Sequence, residues 1–141
     1  MKRHATALWS GDLKSGNGSI TAQSGALSAN PYSFNARFVD ESGKSATNPE
    51  ELLAAAHAGC FAMQLSHFLA ENGTPATKLD ATATVELVPG NGITGSALKL
   101  TGTVPGIDDA KFQELAAKAK AECPVSKALG AINVSLEAAL A

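Results

Sequence analysis

Apolar and polar residues alternate through residues 79–88, with Leu79, Ala81, Ala83, Val85 and Leu87 on one face and Asp80, Thr82, Thr84 and Glu86 on the other. A period of two predicts a half-buried strand. The turn Pro89-Gly90-Asn91-Gly92 follows and residues 93–104 return as a second strand, so the two should pair as an antiparallel hairpin. Residues 32–39 alternate in the same way: Tyr32, Phe34, Ala36 and Phe38 share one face, Ser33, Asn35 and Arg37 the other. A strand is predicted there, preceded by weaker strands at 4–10 and 19–23. A final strand is predicted over 132–136.

The period changes over residues 48–69, where Leu53, Ala56, His57, Cys60, Met63, Gln64 and His67 recur three or four apart, the spacing of a helix. Thr47 or Asn48 can cap it, each with a Glu three residues on (Glu50, Glu51). With Asn48 as the cap, Pro49 takes the first helical position, where its missing N–H costs nothing. Gly73 and Pro75 end the helix. A second helix is predicted from Asp108 or Asp109 to about Glu122, with Phe112, Leu115, Ala116 and Ala119 on its apolar stripe. Pro124 interrupts at Cys123, and residues 125–129 form a short helical turn ended by Gly130. The order is three short strands, a long helix, a hairpin, a helix with a broken end, and a strand. That is an α+β class, with helices on one face of mainly antiparallel sheet. No repeat or linker divides the chain, so one domain over 1–141 is expected. Residues 1–46 carry little core of their own and are expected to pack against a second copy.

Composition narrows the function classes. The 141 residues carry 11 basic and 13 acidic side chains, a net charge of −2, with no basic stripe, so nucleic acid is not an expected partner. No apolar run is read as reaching the roughly 20 residues of a bilayer span, so no membrane association is expected. The opening Met-Lys-Arg-His-Ala has charges but no apolar stretch behind it and is not read as a signal peptide. Together these point to the cytoplasm. With 45 % hydrophobic residues the chain needs no disulfide staple, and in a reducing compartment its two cysteines are inert, metal-binding or redox-active.

Cys60 and Cys123 are 63 positions apart, and the residues alone leave several readings open. Two unrelated buried thiols is the plainest. A zinc site would draw on Cys60, Cys123 and two of His4, His57 and His67, but the paired short spacings of structural zinc sites are missing. A Cys–His hydrolase would use His57 as base, although a hydrogen-bonded, half-buried histidine explains His57 as well. Cys123 lies beside Pro124 at a helix end, where the backbone can reposition a thiol as a resolving cysteine must. Glu50 caps the helix and complements its dipole. Arg37, if brought near a mid-helix thiol, would favour the thiolate, and a carboxylate can hold its guanidinium through paired hydrogen bonds. Ten residues of straight helix are about 15 Å, so Glu50 cannot reach Cys60 of its own helix. Either the helix starts late or Glu50 serves the other subunit.

The segments Asn-Pro-Tyr-Ser-Phe-Asn-Ala-Arg-Phe (30–38), Thr-Asn-Pro-Glu-Glu-Leu-Leu-Ala-Ala-Ala-His-Ala-Gly-Cys-Phe-Ala-Met (47–63), Val-Pro-Gly-Ile-Asp (104–108) and Lys-Ala-Glu-Cys-Pro-Val-Ser (120–126) carry a resemblance. They are similar to the OsmC/Ohr family of organic hydroperoxide reductases, and within it to the osmotically inducible OsmC branch. The resemblance implies a thiol peroxidase of oxidative and osmotic stress defence, with no haem, flavin or metal cofactor. It implies Cys60 as the peroxidatic cysteine, Cys123 as the resolving cysteine, Glu50 as the catalytic carboxylate and Arg37 as the activating guanidinium. It also implies an intertwined homodimer with two active sites at the interface. Cys60 would become a sulfenic acid and close a disulfide with Cys123, and an external dithiol, with a lipoyl protein as candidate, would reduce it. Ala56, Gly59, Phe61 and Met63, with Tyr32, Phe34 and Phe38, suggest a pocket suited to an alkyl or aryl tail, so organic hydroperoxides should outperform hydrogen peroxide. The competing reading is a catalytically weak, stress-induced protein that binds a hydrophobic ligand in the same pocket.

Overall fold

A computed structural model describes all 141 residues. The chain gathers into two units, Met1–Leu52 and Leu53–Ala141. In the first, β1 (Ala5–Ser10), β2 (Asn17–Ala22) and β3 (Asn30–Ser33) form an antiparallel sheet in that order. All six residues of β1 are exposed, as is Leu13 in the turn that follows. Gly18 lets the strands close up: a Cβ there would run into the Leu8 carbonyl oxygen and lie 2.5 Å from the Tyr32 ring.

The strand expected over 32–39 is corrected. Only Asn30–Ser33 is strand, and α1 (Phe34–Phe38) is a helical turn. The cause is local. Ser33 takes an extended conformation and its Oγ accepts a hydrogen bond from the Ala36 N–H at 3.1 Å, which is N-cap geometry. The alternating aromatics then meet by the i,i+4 rule, with the Phe34 and Phe38 ring centroids 4.9 Å apart.

The long helix α2 (Pro49–Glu71) starts as its capping signals require. The Glu51 N–H donates to Asn48 Oδ1 at 2.8 Å, and Thr47 Oγ1 donates to Glu51 Oε2 at 2.6 Å, so Asn48 is the cap and Pro49 the first helical residue. By length and composition α2 can cross a membrane, its best 18-residue window reaching a mean hydropathy of 1.3. This corrects the expectation that no run is long enough. Phe61, Leu65, Phe68 and Leu69 of this helix are nevertheless buried inside the protein.

In the second unit Phe61, Leu65, Phe68 and Leu69 of α2 are buried against the sheet of β4 (Lys78–Val88), β5 (Gly92–Thr103) and β6 (Asn133–Leu140) and against α3 (Asp109–Glu122). The hairpin of β4 and β5 is antiparallel as expected, and β6 runs parallel to β5. A parallel neighbour needs a crossover, which α3 and α4 (Pro124–Ala128) provide. Asp108 caps α3 by accepting from the Lys111 N–H, and Phe112, Leu115, Ala116 and Ala119 are its buried stripe, as the spacing predicts. Gly102 of β5 lets the Phe112 ring approach, since a Cβ there would lie 3.0 Å from it. Cys123 follows α3 and caps α4, fully buried in this core.

Candidate active site

The predicted site residues come together in two pairs, one in each unit. In the first unit, Arg37 stands in the last turn of α1 and Glu50 in the first turn of α2. Arg37 Nη2 donates to Glu50 Oε1 at 2.6 Å and Nε donates to Oε2 at 3.1 Å, a two-pronged ion pair that fixes the plane of the guanidinium. Arg37 also borders a cleft of about 280 Å³ walled by Trp9, Leu13, Tyr32, Phe34 and Phe38. Trp9 and Tyr32 pack at 5.3 Å between centroids, and the guanidinium lies 4.9 Å from the Phe38 ring centre. Of the residues expected to form an apolar pocket, Tyr32, Phe34 and Phe38 do so. Phe61 belongs instead to the core, and Met63 is exposed. Trp9 and Leu13 were not singled out by the sequence; the only signal was a large apolar residue on either side of a Gly-Asp turn.

In the second unit the two thiols meet. Cys60 and Cys123 are both free, and their sulfurs are 3.0 Å apart. Three residues before Cys60, His57 is completely buried. Its Nδ1 lies 2.7 Å from Ser96 Oγ and its Nε2 2.8 Å from Ser126 Oγ, so both ring nitrogens are occupied and neither serves Cys60 as a base. The histidine is satisfied, as the plainer reading had it, but fully rather than half buried. Ser96 and Ser126 were not recognised as its partners, because they are 39 and 69 positions away. No group of three His, Cys, Asp or Glu side chains stands close enough to hold a metal ion.

The electrostatics of this second pair are uneven. Burial pushes the Cys60 thiol up, and its hydrogen bond with Cys123 and that sulfur's charge add to the shift; the Val125 amide opposes them. Burial also opposes ionisation of Cys123, but the Cys60 thiol, the amide and hydroxyl of Ser126 and the Val125 amide outweigh it and hold that thiol below its ordinary value. Burial lowers the pKa of His57, which favours the neutral imidazole. Taken alone, this unit favours the negative charge on Cys123.

The family model for OsmC-like proteins matches residues 41–137. The chain belongs to the OsmC-like family. It is 50% identical over 128 residues to the protein named Peroxiredoxin OsmC of Escherichia coli (strain K12), covering 89% of this chain and 87% of that one. It is 35% identical over 98 residues to the Organic hydroperoxide resistance protein of Xanthomonas axonopodis pv. citri (strain 306), covering 67% and 68% of the two. The crystal structure of the Organic Hydroperoxide Resistance Protein OhrB of Bacillus subtilis superposes with a TM-score of 0.66 at 28% identity over 96% of this chain and 97% of that one. The architecture is thus the OsmC-like α+β fold, with one antiparallel and one mixed sheet and a long central helix that carries a cysteine. In this OsmC-like chain the His57-x-x-Cys60 and Cys123-x-x-Ser126 segments meet in the second unit, and the Arg37–Glu50 pair stands in the first.

Proposed function

We propose that the protein is a cysteine-based peroxidase that reduces organic hydroperoxides to alcohols as part of stress defence in the cytoplasm. The observation that carries this reading is the meeting of two free thiols at 3.0 Å from positions 63 residues apart. Two unrelated structural cysteines have no reason to converge, whereas a peroxidatic and a resolving cysteine must. The names of the relatives support the same chemistry.

In the proposed cycle, Cys60 is the nucleophile. Its thiolate sulfur attacks the distal peroxide oxygen, the O–O bond breaks, and the leaving alkoxide takes a proton to become the alcohol. Cys60 is then a sulfenic acid. Cys123 attacks the Cys60 sulfur, a disulfide forms, and the hydroxyl leaves as water. An external dithiol, with a lipoyl protein as the candidate donor, restores the two thiols. Arg37 supplies the positive charge that favours the Cys60 thiolate, and Glu50 holds the guanidinium in plane. We place these roles in an intertwined homodimer in which 1–46 packs with the second copy. Two features support that arrangement: the exposed apolar side chains of the first unit, Leu8 at 65% and Leu13 at 64%, and the axial rise of about 15 Å between Glu50 and Cys60 on one helix.

The test is stoichiometric. Fully reduced protein is given one equivalent of cumene hydroperoxide, free thiols are counted, and the disulfide is mapped by mass spectrometry. Loss of two thiols per chain with a Cys60–Cys123 link is expected. Both thiols surviving with the peroxide untouched would overturn the reading and leave the apolar cleft as a ligand-binding site.

A further inference from the structure

His57 and Cys60 project from α2 about one helical turn apart, and Cys123 and Ser126 are the cap and third residue of α4. Two contacts join these helices: sulfur to sulfur at 3.0 Å, and His57 Nε2 to Ser126 Oγ at 2.8 Å. Cys123 and Ser126 belong to one stiff turn, because Pro124 fixes the backbone between them and the Lys127 N–H donates to the Cys123 carbonyl oxygen at 3.0 Å. Behind the imidazole, Nδ1 lies 2.7 Å from Ser96 Oγ of β5. A serine hydroxyl donates or accepts, so both contacts are made with the ring in either neutral tautomer. All three side chains are buried. Stability alone does not call for such a chain, because apolar side chains of the same shape can replace a buried hydrogen-bonded pair at little cost. What a fully satisfied polar chain adds is one fixed arrangement of the elements it joins.

We propose that His57 is a positioning residue whose bond to Ser126 ties α4 to α2, so that Cys123 stands within reach of Cys60 before either is oxidised. Its use in turnover rests on the peroxidase reading above. Without the tie, the α4 turn keeps more freedom in the reduced protein, and closing the disulfide removes it; with the tie, that freedom is already gone. The tie and the disulfide join the same two helices about one turn apart, so each strengthens the other. In the step it serves, the S–O bond of the Cys60 sulfenic acid breaks and the Cys60–Cys123 bond forms. Cys123 is oxidised and Cys60 reduced, both to the disulfide level, and the proton of the Cys123 thiol leaves with the hydroxyl as water. Slow closure admits a competing step, in which a second hydroperoxide gives an oxygen to the sulfenic acid and departs as the alcohol, leaving Cys60 as a sulfinic acid.

The two serines supply the control. Both meet the same ring from buried positions, but only Ser126 lies on the element that Cys123 caps. The full-length protein is equilibrated in dithiothreitol redox buffers without peroxide, the Cys60–Cys123 disulfide is quantified by mass spectrometry, and melting temperature is measured beside it. Ser126→Ala should shift the equilibrium toward the thiols by about 3- to 10-fold, the effect of one neutral hydrogen bond, which at the tenfold end is about 30 mV for this two-electron couple. Ser96→Ala should lower the melting temperature by a similar amount and leave the equilibrium close to that of the wild type. His57→Gln, whose amide reaches the Nε2 position, should recover part of the shift seen in His57→Ala. With cumene hydroperoxide in excess, Ser126→Ala should accumulate sulfinic acid on Cys60 and Ser96→Ala should not. An unchanged equilibrium in Ser126→Ala overturns the proposal. So do equal shifts in the two serine variants, since they would mark the whole chain as structural. A wild-type protein that shows the expected equilibria but consumes no hydroperoxide overturns the peroxidase reading and leaves the tie standing.

Discussion

Replacing Arg37 by Lys keeps a positive charge at the mouth of the apolar cleft but removes the planar fork that meets both Glu50 oxygens, at 2.6 and 3.1 Å. An ammonium can keep one of those two bonds in the same geometry. A hydrogen bond between charged groups contributes about 1.5–3 kcal/mol, and with the Arg37 side chain 33% exposed the loss belongs at the lower end, about 1.5 kcal/mol. If the fork matters only through the orientation of the charge, that is a loss of about tenfold in kcat/KM. Replacing Arg37 by Ala removes the charge as well, and loss of one preorganised electrostatic group costs about 10²–10³ in rate. The assay is kcat/KM for cumene hydroperoxide with a dithiol in excess, with melting temperature measured beside it. A partly exposed ion pair adds about 1 kcal/mol or less to stability, so both variants should melt close to the wild type. The graded result, Lys moderately impaired and Ala severely so, is what distinguishes an activating guanidinium from a structural ion pair. Wild-type turnover in Arg37→Ala would refute the role outright, and equal losses in both variants would show that charge alone contributes nothing.

Three further outcomes follow from the same geometry. Gly18→Ala forces the Tyr32 ring and the β1 backbone apart, because the new Cβ would lie 2.5 Å from that ring; the melting temperature should fall and KM for cumene hydroperoxide should rise more than that for hydrogen peroxide. Hydrogen peroxide should be the poorer substrate of the wild type, because a tail buried in the cleft gains on the order of 25 cal/mol per Å² and hydrogen peroxide has none; an equal or higher kcat/KM for hydrogen peroxide would contradict this. His57 has its pKa lowered by burial, so protonation favours the unfolded chain. Its contribution to stability is therefore full above the ordinary imidazole value of about 6.5 and lost as pH falls toward the lower folded value. Melting temperature against pH should show that loss in the wild type and not in His57→Gln.

The readable parts of this chain were those where a local rule has no competitor. The caps at Asn48 and Asp108, the stripe of α3 and the β4–β5 hairpin each depend on neighbours within a few positions, and each formed as the spacing demanded. Residues 32–39 show what happens when two rules compete: alternation every second residue and contact every fourth both pair Phe34 with Phe38, and the Ser33 cap decided for the helix. The long helix misled in another way, since its apolar residues are broken up by polar ones and its length was underrated as a potential span. At the candidate site, each of the four residues was visible from its type and motif. The pairing of Cys60 with Cys123 came only from the resemblance, and that of His57 with Ser96 and Ser126 from nothing in the sequence, because a parallel crossover that no local pattern encodes brings them together.

Two thiols 3.0 Å apart do not both ionise readily, because a second negative charge at that distance is strongly disfavoured. The order of the chemistry is then set by where a single charge resides. Attack on a peroxide needs it on Cys60; closure of the disulfide needs it on Cys123. The surroundings within Leu53–Ala141 favour Cys123, through Val125 and Ser126, and raise Cys60. On this reading the guanidinium does not create a thiolate so much as relocate one, and once Cys60 is a neutral sulfenic acid the charge returns to Cys123 by default. The consequence is specific. Arg37→Ala should keep the lower of its two thiolate steps in an ultraviolet titration while losing reactivity with cumene hydroperoxide, because that charge stays on the sulfur that does not attack. Adding Cys123→Ser in that background should remove that lower step. If Arg37→Ala alone loses that lower step, or the double variant retains it, the charge was never on Cys123.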